Sequence, residues 1–209
     1  MSKHCDSSAC GSQYAESSTL RRVLWVAFGL NFSMFFVEII SSVIGNSVAL
    51  QSDALDFFSD SVNYLLSLLV LGSALQTRAK AALFKAICML LFGLWIIFNA
   101  ISNGINGSSP NGQLMSTIGL LALVTNVFVA FLLFRYRDGD SNLQSIWLCS
   151  RNDAISNVAI IFAAFAVIAL QTHWPDIIVA ILIASLALHS SYTVLTLARN
   201  ELLSNSKQK

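Results

Sequence analysis

Three aspartates recur within one apolar stretch, Asp53, Asp56 and Asp60 in Ser52-Asp-Ala-Leu-Asp-Phe-Phe-Ser-Asp60. Offsets of three and four put all three on one face of a helix. A second apolar stretch carries Asp153, with Cys149 and Asn157 one turn either side on the same face. Charges inside apolar helices are costly and mark sites of function by default. Several carboxylates in one bundle cannot all stay ionised without a counter-charge. Arg151 is the one basic residue within the span, able to pair with a carboxylate or to snorkel to the surface. A divalent cation is the natural partner for the rest. Asp56 and Asp60 from one helix, with Cys149 and Asp153 from the other, supply four ligands, the usual number for zinc. The thiol adds a preference for softer metals. Asp53 stands apart, as a helix cap, a solvated access residue or a pathway residue.

Positioning these groups requires long apolar helices. The chain is 56% hydrophobic and only 11% charged, with a mean hydropathy of +0.69. Soluble domains carry about 25% charged residues, so a 209-residue soluble domain could not hide this much apolar surface. A transmembrane helix needs roughly 20 mostly apolar residues. Six windows meet that length: Val23 to Val43, Val48 to Leu75, Ala81 to Ile101, Leu114 to Phe134, Ile146 to Leu170, and Ile177 to Leu197. Turn chemistry separates them at Gly45-Asn46, Gln76-Thr77, Asn103 to Gly112, Asp138-Gly139-Asp140 and Thr172 to Pro175. The expected fold is all-α and polytopic, with six transmembrane helices. Residues 1–20 form a polar tail expected to be disordered, 21–199 the membrane domain, and 200–209 a short second tail.

Lysine and arginine set the orientation. Lys3, Arg21, Arg22, Arg78, Lys80, Lys85, Arg135, Arg137, Arg199, Lys207 and Lys209 flank alternate helix junctions, and the other junctions hold none. Both termini are therefore expected in the cytoplasm. Met1 to Leu20 has no apolar core of a signal peptide, so the first helix is expected to act as its own insertion signal. The cysteines Cys5, Cys10, Cys88 and Cys149 show no disulfide framework. A net charge of +1 gives no case for nucleic acid.

The sequence Ser47-Val-Ala-Leu-Gln-Ser-Asp-Ala-Leu-Asp-Phe-Phe-Ser-Asp60 resembles the second-helix motif of the cation diffusion facilitators. Asp153-Ala-Ile-Ser-Asn-Val-Ala resembles the fifth-helix motif, and Pro175-Asp176 the opening of the sixth helix. The likeness covers roughly Arg21 to Arg199. Carried over position by position, it implies a transport site of Asp56, Asp60, Cys149 and Asp153. It implies export of a divalent metal from the cytoplasm against protons, by a homodimer, with no prosthetic group. Zinc, cadmium and cobalt suit the ligands, and a bacterial inner membrane is the expected location. Two features depart from the pattern. Cys149 stands where the family often has histidine and is either a ligand or a small apolar packing residue, and the expectation is a short form without the family's C-terminal cytoplasmic domain.

Further polar residues extend this reading. His4, Cys5 and Cys10 form a soft-ligand cluster that either captures metal or is incidental in a loose tail. Glu38, with Asn31 two turns earlier, either lines the pathway or ties the first helix to its neighbours; Asn157 is a secondary candidate. His173 and His189 read as hydrogen-bonded packing residues, and Asn63, Asn99 and Asn126 as interhelical glue. Two other classes compete with a transporter. One is a non-transporting partner subunit of the same fold. The other is a membrane phospholipid head-group transferase, which would need Gly and Arg among its aspartates; Asp53 to Asp60 has neither.

Overall fold

Long runs of Leu, Ile, Val, Phe and Ala, broken only at Gly, Asn and Pro turns, fold into six α-helices. The computed structural model describes residues 18–70, 75–136 and 141–206. The helices are α1 (Ser18–Gly45), α2 (Val48–Val70), α3 (Leu75–Asn106), α4 (Gly112–Phe134), α5 (Ser141–Leu170) and α6 (Trp174–Ser206). No strand occurs among the described residues. Most helices run past the windows expected from hydropathy, because polar residues at a bundle's ends continue a helix without being apolar. Two boundaries are corrected. Leu75 opens α3 rather than closing α2, and α3 continues to Asn106 through the expected break at Asn103.

Five helices contain a stretch long and apolar enough to cross a membrane, beginning at Ser18, Ala86, Gly112, Cys149 and Trp174. The remaining one, α2, spans 23 residues but carries Asp53, Asp56 and Asp60. Large apolar side chains such as Phe32, Phe36, Phe98, Phe131 and Phe162 are exposed around the bundle. That surface suits lipid rather than water, and the chain is a multi-pass membrane protein.

Local chemistry fixes the end of the bundle that carries the Asn46 turn. Asn46 takes the left-handed conformation, φ 53°, which asparagine tolerates better than most residues. Ser47 Oγ accepts the N–H of Leu50 and caps α2, and Asn111 Oδ1 accepts the N–H of Leu114 and caps α4. The Asn111 N–H also donates to the Gly45 carbonyl at 2.8 Å, tying the two turns together. The closest pairings are α1 with α2, α4 with α5, and α3 with α6, and α2 also packs on α3, α5 and α6. Gly112 permits the α4–α5 approach, since an added Cβ would stand 2.8 Å from the Ala164 carbonyl oxygen. An apolar core of Val48, Leu50, Leu55, Ile96, Ile160 and Ala184 fills the Asn46 half of the bundle.

Of the basic residues that set the expected orientation, Arg21, Arg22 and Arg135 are exposed. Lys3, Arg137, Lys207 and Lys209 lie outside the described residues, as do His4, Cys5 and Cys10.

Candidate metal site

Two interhelical registers set the depth of the site. Ser47 Oγ donates to Asp176 Oδ1 at 2.6 Å, and Ser52 Oγ donates to the Ala180 carbonyl at 3.1 Å. These bonds run α2 and α6 side by side in the same direction, with Asp60 level with Leu188 and His189. Tyr64 Oη and Ser150 Oγ lie 2.7 Å apart across α2 and α5. Those helices are antiparallel, so Asp60 is level with Asp153 and Ala154. Asp60 is about 18 Å along α2 from Val48, near the middle of that 23-residue helix.

At that depth α2, α5 and α6 part around a cavity of about 510 Å³. Asp56, Asp60, Cys149 and Asp153 all line it. Four residues singled out by spacing alone thus meet in one space. Asp153 lies within hydrogen-bonding reach of Asp60. Among the described residues no three His, Cys, Asp or Glu side chains are drawn close enough together to hold an ion as they stand. The cavity is therefore wider than a closed four-ligand shell.

Hydrogen bonding orients one of these carboxylates. The Tyr64 hydroxyl donates to Asp60 Oδ2 at 3.2 Å. Its single proton being used there, Ser150 donates to Tyr64 in turn. Both Tyr64 and Ser150 are fully buried. Neither was singled out in the sequence, although Tyr64 sits four residues beyond Asp60, on the same helical face.

Other candidates fall elsewhere. Asp53 is fully buried and lies outside the cavity lining, so the cap and solvated-access readings are corrected. The cap of α2 is shared by Ser47 and Asp176, whose carboxylate accepts from the Val48 and Ala49 N–H groups at 2.9 and 3.1 Å. Glu38 is also fully buried and faces Asp53 across α1 and α2. Among the described residues none of their four carboxyl oxygens has a hydrogen-bond partner. Two carboxyls can bond each other only when one carries a proton. Asn157 is buried beside the cavity, not on its lining. Arg151 is exposed, donates to Asn152 Oδ1 and lies over the Trp147 ring. His173 stacks on Trp174 at the Asn46 end. Asn99 donates to Gln51, an α3–α2 tie of the kind expected. Asn63, expected as interhelical glue, and His189, expected as a packing residue, both line the cavity.

A bundle of long apolar helices with carboxylates and a thiol around a mid-depth cavity describes a cation-handling membrane domain. The chain matches the family model of the cation efflux transmembrane domain over residues 24–203, and it belongs to that family. Among its relatives is the cadmium, cobalt and zinc/H(+)-K(+) antiporter of Bacillus subtilis (strain 168), 29% identical over 189 residues, covering 83% of this chain and 60% of the relative. The zinc transporter ZitB of Escherichia coli (strain K12) is 27% identical over 207 residues, covering 92% and 65%. The metal cation efflux system protein CzcD of Cupriavidus metallidurans is 23% identical over 194 residues, covering 87% and 61%. The chain thus spans 60 to 65% of the length of these relatives.

Proposed function

We propose that this protein is a secondary transporter that moves a divalent transition metal out of the cytoplasm in exchange for protons. The observation that carries the reading is the meeting of Asp56, Asp60, Cys149 and Asp153 on one mid-bundle cavity. Three carboxylates and a thiol form a hard-and-soft donor set suited to zinc, cadmium or cobalt. The names of the relatives, which include zinc, cadmium and cobalt transporters, support the same substrates. The cavity lining runs from Asp56 to Asn63 on α2 and from Ile183 to Val194 on α6, toward the end where Ser18 and Ser206 lie. At the Asn46 end Ser52, Asp53 and Asp176 are fully buried. With both termini in the cytoplasm, this is a state open inward and closed outward. All six helices cross the membrane in this reading, α2 included, because its aspartates face the bundle interior and not lipid. The membrane is a bacterial inner membrane, and the working unit is a homodimer.

Proteoliposomes containing only this protein test the proposal. An imposed zinc gradient is expected to drive proton counter-flux. Asp60→Ala and Asp153→Ala should each reduce zinc flux by more than about 100-fold while still inserting, since even outer partners of a ligand are worth about 10- to 100-fold in metal affinity. Wild-type flux in either variant would remove that residue from the site. A well-inserted wild-type protein that moves no zinc, cadmium or cobalt would favour the partner-subunit reading.

A further inference from the structure

His189 lies on α6 at the depth of Asp60, as the Ser47–Asp176 and Ser52–Ala180 bonds require. Its neighbour Leu188 turns away, standing against Gly93 of α3. One residue further round the helix, His189 lines the same cavity as Asp56, Asp60, Cys149 and Asp153. An imidazole at mid-membrane depth is poorly placed against lipid, and its favourable surroundings are a polar cavity or another polar group. The α6 wall around it is polar too, with Ser190 and Thr193 on the cavity lining. Three helices thus bring a carboxylate pair, a thiol with a carboxylate, and an imidazole to one cavity.

We propose that His189 is a metal ligand supplied by a third helix, added when α6 closes on the cavity around a bound ion. The inference rests on the transport reading above and adds a residue and a selectivity to it. The space to be crossed is that of the cavity itself, whose side chains do not yet converge. Imidazole nitrogen, with the Cys149 sulfur, favours zinc, cobalt or cadmium over manganese, magnesium or calcium, which prefer oxygen alone. His189 then acts as a selectivity residue: without it, the site falls back toward an oxygen-rich set.

X-ray absorption of the full-length protein loaded with zinc in lipid nanodiscs reads this directly. The wild-type spectrum is expected to show one imidazole in the zinc shell, lost in both His189→Ala and His189→Gln and retained in His173→Ala. Zinc affinity should fall about tenfold or more in the His189 variants, and manganese affinity should change little. Zinc bound with no imidazole in the wild type, or an imidazole that survives in His189→Ala, would overturn the role of His189 and leave the transport reading standing. A wild-type protein that binds no zinc would overturn both.

Discussion

Tyr64 gives the Asp60 carboxylate a fixed direction, through a hydroxyl that is itself held by Ser150. Ligands held by such partners lose less freedom on binding metal. Tyr64→Phe should leave the fold intact, because the ring is retained, and should weaken zinc affinity by about 10- to 100-fold. Binding calorimetry checks this; an unchanged affinity would make Tyr64 a packing residue only. Glu38 and Asp53 pose a different question. The Glu38→Gln amide can donate to Asp53 as a protonated acid does, whereas Glu38→Ala leaves Asp53 buried alone, at a cost of about 1–3 kcal/mol. Thermal unfolding in detergent should therefore rank wild type and Glu38→Gln together and Glu38→Ala well below. Equal stability of all three would show that the pair contributes nothing. The four cavity residues were legible from spacing because a one-turn offset in an apolar run is a local property. The Glu38–Asp53 contact was not, because it depends on how α1 packs against α2. The place of His189 on the cavity was not legible for a similar reason: a lone histidine acquires meaning only from the register of α6 against α2.

At the scale of the helices, α2 carries half the site, and its first turn is held by a neighbour. Asp176, at the start of α6, accepts from Ser47 Oγ and from two backbone N–H groups of α2. Orphan N–H groups at a helix start are a fixed cost when buried, and a carboxylate also favours the positive end of the helix dipole. Asp176→Ala should thus cost about 2 kcal/mol or more of stability. Asp176→Asn should fall between, since one oxygen still accepts while the amide N–H₂ faces a donor. A melting series of the three proteins in detergent tests the order, and an Asp176→Ala protein as stable as wild type would contradict it. The existence of six helices followed from hydropathy, since apolar length is a strong signal. Their ends did not, because Ser18 to Arg22 and Ser102 to Asn106 are helical despite their polarity. The Pro175-Asp176 pair stood out in the sequence as a helix opening. Its grip on α2 spans 127 to 129 residues of separation, which no local pattern reports.

For the whole molecule, the governing quantity is the charge that the apolar bundle can hold around the cavity. Asp56, Asp60 and Asp153 approach one another there, and Arg151, the cation nearest in sequence, is exposed and engaged with Asn152 and Trp147. Without metal, protons are the available counter-charge in a low-dielectric interior. A divalent ion reverses the balance, because its charge favours ionised carboxylates and a thiolate. On the proposed reading metal and protons compete for the same atoms, and binding one releases the other. Lowering the pH adds protons to the empty site, so the apparent zinc affinity should weaken as pH falls and strengthen as it rises. About one to two protons should leave per zinc bound. That exchange at a single cavity, opened to each side in turn, suffices for antiport without a continuous pore. Titration calorimetry with zinc in buffers of different ionisation enthalpy yields the proton number from the slope of observed heat. A slope of zero between about pH 6 and 8 would sink proton coupling at this site even if all four ligands proved correct. A slope that vanished in Asp60→Asn but persisted in Glu38→Gln would assign the exchanged protons to the metal-binding carboxylates and leave the buried Glu38–Asp53 pair as a tie between α1 and α2.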